Sequence, residues 1–315
     1  MDSRSAKDEK SSDIEPRVRD TSPRHDGKAN TDVDDAYKFL VDHSESATAE
    51  NIARIQRKVD WRIVPIMFLV YLFNLLDKVS LNYAAVMGLP VDLELRGNDF
   101  TNAATAFFGA YLAAELPTPF ILNKVSASKW LGGNVILWGI ATACTAAAKD
   151  YPSLLAARIF LGAFEAPVAP CLMLISSQWY TKSQQSPRFA FWYCGLGCAQ
   201  IIGGILSFAF QQIQRASLEG WRIMFVVLGC LTVALGFAAL WVLPDSPMSA
   251  TFLSDAEKMA LLRHVSENQT GVRGRTIKRS QLFEAVKDPQ LWLLALMTIT
   301  VSVRSIDVRG QRQSS

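Results

Sequence analysis

Histidine is nearly absent from this 315-residue chain, and its three copies, His25, His43 and His264, all lie outside the long apolar stretches. No clustered pair of carboxylates and no Ser-Lys pairing occurs within those stretches, so an intramembrane enzyme is excluded as the leading reading. The five cysteines (Cys144, Cys171, Cys194, Cys198, Cys230) all sit in apolar stretches. Only Cys194 and Cys198 are closely spaced, and no His or second Cys pair completes a metal site, so they read as buried thiols and neither metal nor cofactor is expected. A net charge of +3 without a basic stripe excludes nucleic acid as a partner. The first sixty residues are polar, so no cleaved secretory leader is expected there and the first apolar segment reads as an uncleaved anchor.

What is present is uneven. Residues 1–60 hold 11 Lys/Arg and 14 Asp/Glu, whereas residues 131–148 hold none. Six apolar spans follow the polar start, each near the ~20 residues needed to cross hydrocarbon: 61–85, 103–122, 131–148, 154–179, 189–210 and 221–243. Short polar turns make successive spans antiparallel. Lys124, Lys129, Lys182 and Arg188 fall in the loops on one side, together with Arg54, Arg57 and Lys58 before the first span. By the positive-inside rule that side, with the amino terminus, is cytosolic.

These features predict an all-α membrane protein with four parts: a disordered cytosolic segment (1–58), a six-helix membrane half (59–244), a cytosolic loop with a short amphipathic helix (245–288), and an incomplete seventh helix with a divergent tail (289–315). A short helix is expected to lead from residue 49 into the first span. In the loop, Ser254 and Glu257 have capping-box spacing, and Met259, Leu262 and Val265 share a face. The sequon at Asn268 falls on the cytosolic side and reads as chance. The thirteen-residue stretch 291–303 is too short to span.

Charges inside the spans carry the functional reading, because an ionisable group at bilayer depth costs a few kcal/mol unless a partner or wet path compensates it. Asp77 and Lys78 lie in span one, Glu115 in span two, Arg158 and Glu165 in span four. Arg158 and Glu165 are two turns apart on one face; Gly162 between them permits close approach of a neighbouring helix. Arg158 is expected opposite Asp77. Two roles stand for these charges, locking the bundle or coupling protons to helix movement; Glu115, just before Pro117 and Pro119, reads as interfacial or pathway-lining. Asn74 and Gln200 are candidates to line a substrate cavity, Tyr71 and Trp192 to stack on a planar ligand. Gly203 and Gly204, with Gly195 and Gly197, are expected to serve packing or bending of span five.

A string of ordered motifs then carries a resemblance. Leu75-Leu-Asp-Lys78 followed by Leu81-Asn-Tyr-Ala84, GNVILWG from Gly133, ACTAAA from Ala143, and Arg158 with LGAFEA open the series. Trp179-Tyr-Thr-Lys182, Ala199-Gln-Ile201, Trp221-Arg-Ile223 and LPDSP from Leu243 complete it. Together they resemble the fungal allantoate permease group, in the anion:cation symporter branch of the major facilitator superfamily. The resemblance implies twelve helices in two halves around a central site, and proton-driven uptake of a small organic anion such as a ureide or vitamin acid, in the plasma membrane. It places Arg158 and Gly162 in the family's RxxxG and Asp77-Lys78 in its acidic-basic pair. Ser183 and Gln184 stand where members usually carry acids, and Leu196 where a polar Asn is common. Past Val303 the chain departs from the pattern of helix seven, so a truncated form is expected. It would be a carrier of organic anions, a transport-inactive remnant, or an exporter of a small metabolite, with homodimerisation of halves as one route to activity.

Overall fold

The computed structural model describes residues 49–212, 218–267, 287–294, 296, 297 and 300. Among them every regular element is a helix, as expected of an all-α membrane protein. The chain runs α1 (Ala49–Val86), α2 (Leu89–Asp92), α3 (Asp99–Glu115), α4 (Thr118–Leu122), α5 (Ala127–Thr145), α6 (Tyr151–Glu165), α7 (Val168–Trp179), α8 (Lys182–Gln211), α9 (Gly220–Val242) and α10 (Asp255–Glu267).

Four stretches are long and apolar enough to cross a bilayer: 52–86, 151–179, 182–211 and 220–242. The other two of the six expected spans are shorter. Pro117 and Pro119 stop α3 after 17 residues, and the chain turns into α4 before Leu122. Helix α5 has 19 residues, ~28 Å at a helical rise of 1.5 Å, and opens on the polar Ser128, Lys129 and Asn134. Span four, expected as one helix, divides into α6 and α7 around Pro167, whose missing N–H removes a ladder bond while its backbone stays right-handed helical. Helix α1 begins at Ala49, ahead of the boundary drawn at residue 59, and runs unbroken into span one. Residues 1–48, Asn268 and 301–315 lie outside the described set.

Helix ends are fixed by side chains. The Asp150 carboxylate accepts from Ser153 N–H at 3.1 Å, and Ser153 Oγ accepts from Asp150 N–H at 3.2 Å, which starts α6. Thr181 and Gln184 cap α8 in the same way. The LPDSP turn after α9 reaches α5: Ser126 Oγ donates to Asp245 at 2.6 Å, and Lys129 Nζ lies 2.7 Å from the same carboxylate. The hydrogen bond from Lys129 to Asp245 holds the ammonium above the usual lysine range.

The bundle pairs its spans out of sequence order. The most extensive helix contacts join α5 with α9, α3 with α6, and α1 with α8. Glycines set two of these. A Cβ on Gly139 would lie 2.7 Å from Val233 N, and one on Gly229 2.6 Å from Ala143 N, so α5 and α9 touch backbone to backbone. A Cβ on Gly162 would lie 2.3 Å from Phe107 O, so α3 and α6 do the same.

Helix α10 docks at the end of the bundle where α1 begins. Its start follows the expected box: Glu257 N–H donates to Ser254 Oγ at 3.3 Å and Ser254 N–H to Glu257 Oε2 at 3.0 Å. Leu261, Leu262 and Val265 are buried, and Leu261 and Val265 share a core with Ile55 and Val59 of α1. Lys58 pairs with Glu257, and the Phe252 ring lies 6.2 Å from that of Trp179. Nearby, Arg188 grips both carboxylate oxygens of Asp60 at 2.6 and 2.7 Å beneath the Tyr180 ring. This tie between α8 and α1 was not anticipated from the sequence.

Candidate functional site

Adjacent residues on an α-helix point about 100° apart, and Asp77 and Lys78 use that offset to face different neighbours. Asp77 turns towards α5, where Thr142 Oγ1 donates to its Oδ1 across 3.4 Å. Lys78 turns towards α6 and α3. Its ammonium lies 3.5 Å from Glu165 Oε1, donates to Asn74 Oδ1 at 3.0 Å, and sits 5.1 Å from the centre of the Tyr111 ring. The Glu165 side chain is fully buried and that of Lys78 is 30% exposed.

The expected Arg158–Asp77 ion pair is therefore not formed. Among the described residues the intramembrane pair is Lys78–Glu165, and no oxygen of Asp77 comes within 4.0 Å of the guanidinium. Arg158 and Asp77 instead line one cavity of about 160 Å³ between α1, α3 and α6. Lys78, Asn82, Phe107 and Phe108 also line it. The Arg158 guanidinium lies 5.3 Å from the Phe225 ring centre. Its Nε and Nη2, together with Asp77 Oδ2, are buried without a hydrogen-bond partner. An unmade bond to a buried polar group costs ~1–3 kcal/mol, and more for a charged one.

Other expected site residues lie elsewhere. Asn74 serves Lys78 and does not line the cavity. Tyr71 meets Tyr193 edge-on at 6.1 Å. Trp192 is buried in the apolar core with its ring edge-on to Phe189 at 5.0 Å. Gln200 is exposed, and its carbonyl accepts from the Tyr83 hydroxyl at 3.3 Å. Glu115 is the last residue of α3, half-buried and away from the cavity.

The glycine expectation divides. Gly162 sits at the α3 contact, and a Cβ on Gly203 would meet the Tyr83 ring at 2.5 Å. Gly204 requires a correction: nothing lies within 4 Å of a Cβ built there, because one residue further round α8 faces outward.

Sequence reasoning missed Asn82, Phe107, Phe108, Thr142 and Tyr111. One signal was available: Asn74, Lys78 and Asn82 recur every four residues, a polar stripe on an apolar helix. The aromatic wall from α3 carries no such mark.

A family model described as Major Facilitator Superfamily matches residues 67–306. The chain belongs to the major facilitator superfamily. Within that superfamily it is similar to the thiamine pathway transporter THI73 of Saccharomyces cerevisiae, with 35% identity over 92% of this chain and 60% of that protein. It is also 33% identical to the allantoate permease of the same yeast, over 86% of this chain and 51% of the permease. An uncharacterized transporter of Schizosaccharomyces pombe is 34% identical over 84% of this chain and half of its own length. This superfamily member thus spans about half to three-fifths of the curated relatives it matches, and with its apolar helices it is an integral, multi-pass membrane protein.

Proposed function

We propose that this chain forms one half of a proton-coupled symporter for a small organic anion, with its amino terminus in the cytosol of a plasma-membrane carrier. The observation that carries the reading is Arg158, buried within an apolar span with two guanidinium nitrogens unpartnered, on the wall of a cavity it shares with Lys78. A guanidinium is a fork-shaped donor suited to a carboxylate. The allantoate permease relative is named for such an anion.

Proton coupling follows from charge balance. If all four are ionised, Asp77, Glu165, Lys78 and Arg158 carry two charges of each sign and the empty site is neutral. An incoming monoanion leaves one excess negative charge in a low-dielectric surround, which is costly. One proton on Asp77 or Glu165 restores neutrality. The expected stoichiometry for a monoanion is therefore one proton per anion, without net charge movement. Glu165 and Asp77 are the proposed proton-exchange carboxylates; Lys78 is the cation that either Glu165 or the guest can claim. A second bundle, whether from the same polypeptide or another copy, would close the open side of the cavity, as alternating access requires.

The test is uptake of labelled allantoate, nicotinate and pantothenate in cells lacking their own permeases, at acidic and neutral external pH. Acid-stimulated flux of one anion is expected, lost in Arg158→Ala. Flux of none of them, with the protein verified at the plasma membrane, would refute uptake of these anions. An amino-terminal tag reached by antibody only after permeabilisation checks the orientation.

A further inference from the structure

We infer that Tyr111 is a positioning residue for Lys78: its ring face holds the ammonium at the junction of Glu165 and the cavity. The inference rests on the anion-symport reading only for its consequence, not for its geometry.

A lysine is a flexible four-carbon stem with ~2 kcal/mol of rotamer entropy, and something must fix the ammonium if it is to face both a carboxylate and a guest. The Glu165 contact, at 3.5 Å, is longer than a charge-assisted hydrogen bond. Asn74 takes one of the three ammonium protons, from the same helix and one turn earlier. The third direction is closed by Tyr111 of α3, 5.1 Å from ammonium to ring centre, within the range in which the ring quadrupole attracts a cation. Three helices thus meet at one nitrogen: α1 supplies it, α6 the carboxylate and α3 the ring.

Tyr111 reaches that point because of Gly162. A Cβ at Gly162 would lie 2.3 Å from Phe107 O and 3.2 Å from Tyr111 N, so any larger residue displaces the stretch of α3 that carries the ring. Gly162 is three residues before Glu165, on the same side of α6. The glycine therefore does more than let two helices touch; it sets the height of the ring over the lysine.

The test uses the purified full chain in nanodiscs, with lysines converted to ¹³C-dimethyl-lysine, which stays cationic, and the Lys78 signal assigned with Lys78→Arg. Ring current from Tyr111 is expected to displace the Lys78 methyl resonance upfield. Tyr111→Phe should keep the displacement, whereas Tyr111→Leu should lose it, as should Tyr111→Met if the leucine variant fails to fold. Gly162→Ala should reduce it with the tyrosine still present. A Tyr111→Leu or Tyr111→Met resonance at the wild-type position overturns the inference.

Benzoate is then titrated against the same signal. Weakening of its midpoint by roughly tenfold in Tyr111→Leu is expected, a factor equivalent to ~1.4 kcal/mol and within the range for a partly desolvated cation–π contact. A midpoint equal to wild type would overturn the role of Tyr111 in presenting Lys78 to anions. Benzoate that never moves the wild-type signal would count against anion binding at this cavity, and the ring-current result would still decide where Tyr111 holds Lys78.

Discussion

Replacing Gly229 with alanine tests the packing of the bundle by the smallest possible change. The added methyl would lie 2.6 Å from Ala143 N and 2.7 Å from Gly139 O, both backbone atoms that cannot rotate aside. Ordinary contact begins at 3.4 Å, so α9 must retreat from α5 by about 0.8 Å to clear the 2.6 Å contact. Dispersion falls steeply over such a gap, and overpacking of this kind costs ~1–3 kcal/mol. Alanine's better helix propensity returns ~1 kcal/mol, leaving a net loss of ~0–2 kcal/mol. Gly204→Ala is the matched control, because it gains the same propensity and meets nothing within 4 Å. It should be neutral or stabilising by ~0.5–1 kcal/mol. Thermal unfolding in detergent, followed by loss of the monodisperse peak on size-exclusion chromatography, orders the two variants against wild type. Equal midpoints, or a lower one for Gly204→Ala, would refute the argument that α5 and α9 meet through their glycines.

Three further outcomes follow from the geometry. Lys78→Met leaves the buried Glu165 without its cation and Glu165→Gln leaves Lys78 without its carboxylate, so the double variant should be less unstable than the two losses added, by ~1 kcal/mol or more on a thermodynamic cycle; strict additivity would argue that the 3.5 Å contact carries no energy. Glu257 is held below the ordinary glutamate range, about 4.3, chiefly by its hydrogen bond to Lys58. A depressed carboxyl pKa stabilises docking fully above the ordinary value, and that support disappears as pH falls through the folded value. Protection factors in α10, corrected for the intrinsic exchange rate at each pH, should fall on acidification below that range and lose this pH response in Glu257→Gln; an unchanged response in the variant would assign it to other groups. Arg188→Lys keeps the charge but cannot fork onto both Asp60 oxygens, so detergent stability should drop by ~1 kcal/mol, and indistinguishable midpoints would show that the second hydrogen bond contributes nothing.

What could be read in the amino acids, and what could not, divides along one physical line. Four of the spans, the cap of α10 and the polar groups inside the apolar stretches are properties of composition and short spacing, and these were legible. The partner of Lys78 was not. Asp77 and Lys78 are equally placed in the chain to meet an opposite charge on α6, Arg158 for one and Glu165 for the other, and the choice depends on how far α1 is rotated against α6. In a water-soluble protein the apolar face of a helix declares that rotation. Lipid is as apolar as the bundle interior, so the face is not declared. Trp192 and Phe108 look alike in sequence, yet one packs in the core and the other lines the cavity. Gly203 and Gly204 differ only by the 100° between them, and one meets Tyr83 while the other meets nothing. Rotation is left to the few residues that lipid cannot satisfy: buried charges, and glycines where backbones touch. Gly132 with Gly139, and Gly229 with Gly236, repeat at seven residues on their helices, which places each pair on one stripe. That pairing was present in the sequence as spacing alone. It became readable as a helix seam only because two such stripes exist and each needs a partner that brings no side chain.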